Sequence, residues 1–211
     1  RKRRQSAGSG VIVDAAKGII MTNHHVIKNS DEVRVSLTDG REFTAEIKGV
    51  DPELDIAILH IDAKNLAEVR LGDSNKLDVG DFVVAIGNPF GLGQTVTTGI
   101  VSALGRTGLG IEGYENFIQT DASINPGNSG GALVSLNGEL IGINTAIIAP
   151  SGGNVGIGFA IPVNMAQASM EQILATGEVK RGQLGVSIQD ITPELREAFD
   201  LKNGQQGVLI T

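Results

Sequence analysis

The sequence predicts an all-β protein: two β-barrels, over residues 1–82 and 83–178, closed by a C-terminal helix. Three observations predict it. From Ser9 to Ile161, short β-rich stretches follow one another, separated by glycine-rich turns. Only after Asn164 does the apolar spacing change to a helical period. Beyond Gly177 a strand pattern starts afresh, and residues 179–211 are too few to bury a core alone. That last segment reads as a linker and the incomplete opening of a further domain.

Taken in order, Arg1-Lys2-Arg3-Arg4 is a short basic run, read as a solvated loop end. Ser9–Val13 and Gly18–Thr22 form a hairpin pattern around residues 14–17. Val33, Val35 and Leu37 alternate with Glu32, Arg34 and Ser36, and Asp39-Gly40 is a preferred hairpin pair before the return strand Phe43–Val50. Asp51-Pro52 reads as a turn. Leu54–Leu59 is apolar apart from Asp55, and a carboxylate there is costly without partners. Local amides at a strand start would satisfy it, as would a histidine. Phe82–Ile86 opens the second half. Thr95–Leu104 and Phe117–Thr120 are further strands, and Asn137-Gly138 turns Ala132–Leu136 into Leu140–Ile143. Gly158–Ile161 is the last strand. Asn164 and Gln167 make a capping-box pattern, Met165, Ala168, Ile173 and Leu174 an apolar stripe, and Gly177 a stop. In the tail, Arg181–Val186 reads as a strand, Thr192-Pro193 caps a short helix, and Val208–Thr211 begins another strand.

Composition narrows the function. The net charge of −7 gives no reason to expect nucleic-acid binding. The absence of cysteine excludes a thiol nucleophile, disulfides and thiolate metal sites. The three histidines include two neighbours and no His-x-x-x-His pair, which argues against metal hydrolysis, and no cofactor is expected. No apolar run approaches the ~20 residues of a membrane span. The chain does not begin at methionine and is expected to be a mature or trimmed fragment.

One stretch carries chemistry. In Asn125-Pro126-Gly127-Asn128-Ser129-Gly130-Gly131, a serine stands among glycines ahead of an apolar strand. Such a loop can lift one hydroxyl out of the chain and aim backbone N–H groups at an oxyanion. The plain alternative is a turn between strands. The pattern also satisfies G-x-S-x-G, but that nucleophile elbow needs its histidine after the serine. His24, His25 and His60 all precede Ser129, so the order left open is His, Asp, Ser, as in chymotrypsin-type enzymes. His25 then fits the general base, closing Thr22-Asn23-His24-His25, with His24 as its competitor, and Asp55 fits the residue that orients it. His60 reads as a half-exposed strand residue. The oxyanion donors would be the N–H groups of Gly127 and Ser129, with Asn128 a further candidate.

The motifs Thr22–Val26, Ser74–Asp81, Val84–Gly93, Gly99–Arg106, Asn116–Gly131 and Asn137–Asn144 together resemble the HtrA/Deg family of serine proteases, in its DegQ/DegP branch. The resemblance covers essentially the whole chain. It implies a chymotrypsin-like double β-barrel and an ATP-independent periplasmic endopeptidase for unfolded polypeptides, with chaperone activity. It implies activating peptides as partners, and homotrimers that assemble into higher cages. It makes residues 87–99, 105–115 and 144–156 regulatory and specificity loops. Leu184, Gly185 and Val186 would open a PDZ domain and bind a peptide carboxylate, the peptide adding as a strand. The substrate side chain would meet Ile124, Asn144, Thr145, Ala146, Ile147 and Ile148. Ser123 replaces the acid of trypsin-like pockets, and the branched Ile124 and Ile147 predict a shallow apolar slot. The family's N-terminal segment and most of the PDZ region are absent, so trimerisation and activation are not expected to carry over unaltered. Two other readings compete: a chaperone or binding module with an idle site, and an esterase on the same fold.

Overall fold

The computed structural model describes residues 7–88, 93–111, 113–125, 127–147, 155–182, 185–202 and 207–210. The first half is a five-stranded antiparallel sheet. Its strands β1 (Val11–Asp14), β2 (Ile19–Asn23), β3 (Val33–Ser36), β4 (Glu42–Asp51) and β5 (Ile56–His60) run in the order β1-β2-β5-β4-β3. The Asp39-Gly40 turn joins β3 to β4, with Gly40 at φ 86 in the left-handed region glycine favours. β2 leads directly into a one-turn helix, α1 (His24–Ile27).

The second half closes on itself. β7 (Phe82–Gly87), β8 (Thr95–Arg106), β9 (Phe117–Thr120), β10 (Ala132–Ser135), β11 (Glu139–Ile147) and β12 (Gly158–Pro162) pair around a ring, which the β10–β11 hairpin completes. The short β6 (Arg70–Leu71) joins the outside of this ring, parallel to β11. A segment from before residue 82 therefore belongs to the second sheet. Its strand signal is only two residues long, and a parallel partner far along the chain leaves no turn signature to read. The first sheet, in contrast, shows no pairing of β1 with β3 among the described residues.

Alternation along the central strands feeds separate cores. Ile56 and Ile58 of β5 face a core shared with Phe117, Leu140, Ile143, Phe159 and Ile161 of the second half, while Ala57 and Leu59 face the interior of the first sheet. Val83 and Ala85 of β7 fill the closed ring with Val101, Ile118, Leu133 and Ile141, and Val84 and Ile86 turn to the shared core. A strand buried on both faces needs an unbroken apolar run, which explains Ile56–Leu59. The two halves are thereby cemented face to face, as a site placed between them requires.

The closing helix α2 (Val163–Thr176) is present and ends at Gly177, whose φ of 81 makes a left-handed cap. Its start differs from the capping box. Pro162 occupies the cap position, and the Asn164 N–H donates instead to Ser74 Oγ at 3.2 Å. The Asn164 side chain reaches back across the chain: Nδ2 donates to Asp73 Oδ1 at 2.8 Å, and Oδ1 accepts from the Ser74 N–H at 3.0 Å. That amide, with the Asn75 N–H, holds the Asp73 carboxyl below its ordinary value. The tie is thus complete above the usual carboxylate range and weakens as pH falls through the lowered value. The buried stripe is Val163, Ala166, Ser169 and Ile173; Ala168 and Leu174 are exposed. The helix leaves β12 at once, so Val163 rather than Met165 sets its inner face.

Residues 180–211 form a second unit. Within it β13 (Ile188–Asp190) pairs with β14 (Val208–Ile210), and Thr192 caps α3 (Pro193–Ala198) by accepting from the Leu195 N–H at 3.3 Å. No described residue of this unit is buried. The strand expected over Arg181–Val186 starts instead at Ile188; Gly185 and Val186 are irregular and exposed, and Leu184 lies outside the described residues.

Asp51, at the end of β4, is buried and accepts a hydrogen bond from the Ser169 hydroxyl of α2. Ser169→Ala removes a donor from a buried carboxylate and is expected to cost about 1–3 kcal/mol of stability, measured by urea unfolding.

Candidate active site

Asp55 organises the first half of the site. It lies on the turn entering β5, at φ 57, a left-handed conformation that aspartate tolerates better than most residues. Its side chain is almost fully buried. The cost of that burial is met atom by atom. Oδ1 accepts from the backbone N–H of His25 at 2.8 Å, and Oδ2 meets His25 Nδ1 at 2.7 Å. Oδ2 also accepts from the Thr145 hydroxyl at 2.9 Å. The Asp55 carbonyl accepts from the His24 N–H at 3.1 Å and from Asn23 Nδ2 at 3.0 Å. The α1 turn therefore hangs on Asp55 by three donors. A carboxylate oxygen can only accept, so the proton between Oδ2 and His25 belongs to Nδ1, and Nε2 is the ring nitrogen with a lone pair that can take one.

His25 is half-exposed, at 47% of its side-chain surface, while Asp55 is closed off. The His24 ring makes no hydrogen bond among the described residues. His60 lies at the far end of β5, 3.6 Å from Glu46 Oε2, as a partly exposed strand residue.

Ser129 comes from the second half. Its Oγ donates to the Thr145 carbonyl at 3.0 Å, so Thr145 touches the serine with its backbone and Asp55 with its side chain. The loop carrying Ser129 is pinned carbonyl by carbonyl. Asn125 accepts from the Asn128 N–H at 2.9 Å, closing a turn with Gly127 at φ 102. Asn128 accepts from the Gly131 N–H at 2.9 Å, and Ser129 from the Ser9 N–H at 2.8 Å. Among the described residues, the N–H groups of Gly127 and Ser129 meet no acceptor. In a trans peptide the C=O and N–H point opposite ways, so the Asn128 carbonyl, tied to the Gly131 N–H, aims the Ser129 N–H the other way.

The other expected site residues divide. Asn128 is not a third oxyanion donor: its N–H is spent in the turn, and its side chain is buried with Nδ2 on the Ser123 carbonyl at 3.3 Å. Asn144 has its side chain buried and committed to the backbone around it. Its Nδ2 donates to the carbonyls of Ala132 at 3.0 Å and Ile86 at 3.4 Å, and its own carbonyl receives the Gly130 N–H at 2.8 Å. Ile124 is buried in the core of the ring, against Gly158. The Thr145 side chain frames Asp55 rather than a pocket. Ala146 and Ile147 continue β11, and Ile148 lies outside the described residues. Asp121, the acid nearest the loop, accepts from the Ile100 N–H at 2.8 Å and is exposed. Among the described residues, no three His, Asp or Glu side chains are placed to hold a metal ion.

Sequence reasoning missed the hydroxyl of Thr145 and the roles of Ser9 and Asn23. Each acts through an atom that residue type alone does not mark: a carbonyl, a short hydroxyl, a buried amide.

Comparison with known proteins fits this geometry. Residues 8–143 match the trypsin-like peptidase domain. The chain belongs to the trypsin-like peptidase family. Among such peptidases it is 57% identical, over its whole length, to the periplasmic serine endoprotease DegP of Salmonella typhimurium, and covers 44% of that protein. It is 57% identical over 98% of its length to the periplasmic pH-dependent serine endoprotease DegQ of Escherichia coli, covering 46% of it. The chain thus spans less than half the length of these curated relatives. The trypsin-like fold superposes on the HtrA-type protease AlgW with tripeptide at a TM-score of 0.88, with 54% identity over 97% of this chain and 67% of that one. The HtrA/Deg resemblance seen in the motifs therefore holds along the chain.

Gly130 shows how tightly this peptidase loop is packed. It sits at φ 82, and a Cβ there would come within 2.2 Å of both the Ser9 carbonyl oxygen and Thr22 Oγ1. Gly130→Ala is expected to destabilise the protein by more than about 2 kcal/mol, read as a fall in Tm by differential scanning calorimetry.

Proposed function

We propose that this chain is the protease part of a serine endopeptidase that cleaves unfolded polypeptide by acyl transfer, without ATP. The observation that supports it best is the bonded chain from Ser129 through Thr145 to Asp55 and His25. For attack, the Ser129 hydroxyl turns from the Thr145 carbonyl towards His25 Nε2, which takes its proton as the oxygen adds to the substrate carbonyl. Asp55 holds the ring tautomer and stabilises the imidazolium. The negative charge formed on the substrate oxygen falls to the N–H groups of Gly127 and Ser129. His25 then passes its proton to the leaving amine, and water repeats the sequence on the acyl-enzyme.

The names of the relatives support a periplasmic setting, and the likeness to an HtrA-type protease with tripeptide supports peptides as partners. Chaperone activity and homotrimers in the whole protein are proposed on the motif resemblance alone. Cleavage is proposed to follow small or branched apolar residues. Ser123 supplies no charge to a lysine or arginine, and Asp121 is engaged with β8.

Casein digestion tests the triad. Ser129→Ala and His25→Ala are expected to lose all but background turnover, while His24→Ala keeps most of it. Asp55→Asn should lower kcat by ~10⁴, through the wrong tautomer. An active Ser129→Ala variant, or the reverse ranking of the two histidines, would sink the assignment. Mass spectrometry of the fragments tests the pocket: cuts after Val, Ala, Ile and Thr are expected, and cuts mainly after Lys and Arg would refute it.

A further inference from the structure

We propose that Ser9 is a positioning residue for the oxyanion site, acting through its hydroxyl on the Gly127 carbonyl. The proposal rests on the serine-protease reading above. Ser9 precedes β1 and lies far from Ser129 in sequence, yet it is threaded through the nucleophile loop. Its Oγ donates to the Gly127 carbonyl at 2.6 Å and accepts from the Asn88 N–H at 2.7 Å. Its N–H donates to the Ser129 carbonyl at 2.8 Å, and its own carbonyl accepts from Thr22 Oγ1 at 2.6 Å. One residue thus ties three segments: the strand that ends at the α1 turn, the loop after β7, and the loop bearing the nucleophile.

The Gly127–Asn128 peptide is the element at stake. Glycine has open ψ, so a loop such as this can turn a peptide over at little steric cost. Turned over, this peptide would redirect the backbone that links Gly127 to Ser129, the two residues whose N–H groups are the proposed donors. Two bonds oppose that. The Asn128 N–H is held by Asn125 at one end of the peptide, and the carbonyl is held by Ser9 Oγ at the other. The Ser9 hydroxyl has one proton, and it goes to Gly127. The incoming Asn88 N–H fixes the hydroxyl's rotation, so the donor is aimed before substrate arrives. The backbone bonds of Ser9 to Ser129 and Thr22 do not need the hydroxyl. Ser9→Ala therefore removes the grip on Gly127 and leaves the segment in place.

The test is steady-state kinetics on the full-length protein, with a chromogenic peptide and a peptide boronic acid as transition-state mimic. Ser9→Ala is expected to lower kcat about 10–100-fold, part of the ~10²–10³ that loss of a whole oxyanion donor costs, with KM within about threefold. Affinity for the boronic acid should fall in proportion to kcat. Ser9→Thr, which keeps the hydroxyl, should recover kcat to within about threefold of the parent. A Ser9→Ala enzyme with kcat within twofold of the parent overturns the proposal. So does a loss confined to KM, or a Ser9→Thr enzyme as slow as Ser9→Ala. If Ser9→Ala does not melt cooperatively, Ser9→Cys, with its weak thiol donor, takes its place: intermediate kcat supports the proposal and parental kcat refutes it. The ratio of the parent to Ser129→Ala is recorded alongside and decides the triad assignment separately.

Discussion

A buried carboxylate with every acceptor atom committed is what the rest of the site depends on. Asp55 is shut away from water between the two halves, and unpaired it would cost several kcal/mol. Its partners come from both sides: the α1 turn of the first half and Thr145 of the second. The same bonds that make its burial tolerable bring the histidine and the serine loop to one place. Folding and site assembly are in this sense one event. An error in the docking of the halves would leave a buried charge unsatisfied, and the fold is steered away from it.

The second constraint is space. The loop around Ser129 runs through gaps that admit no side chain: a Cβ at Gly131 would lie 2.2 Å from the Ile86 carbonyl, and one at Gly87 2.5 Å from Asn128 Oδ1. Close approach brings backbone carbonyls and N–H groups within hydrogen-bonding distance across segments far apart in sequence. These contacts fix the carbonyls of Asn125, Gly127, Asn128 and Ser129. The double-sided burial of β5 and β7 anchors the strands on either side of this loop in the shared core.

Much of this was legible in the sequence. Alternation, hairpin pairs and the late helical period located most strands and α2, because those signals are local. The order His, Asp, Ser pointed to a trypsin-like rather than an α/β-hydrolase fold, and the trypsin-like fold is what the chain has. What stayed hidden was set by partners distant in the chain. β6 has a parallel partner across the ring. Asn164 has a helix-capping residue type, but it is drawn off by Asp73 and Ser74. Thr145 and Asn144 were read as pocket residues because they lie on the strand after the nucleophile. Side-chain direction on that strand is decided by Asp55 and Ala132, which no local pattern reveals. Ser9 looked like the start of a strand and nothing more.

The claim that a single assembled unit of Asp55, His25 and Ser129 activates the serine can be tested without any substrate. A fluorophosphonate probe reacts only with a serine whose proton is removed as it attacks. Labelling followed by peptide mapping should place the adduct on Ser129 alone, with the rate collapsing in His25→Ala and Asp55→Asn. Labelling at another serine, or an undiminished rate without His25, would contradict the account.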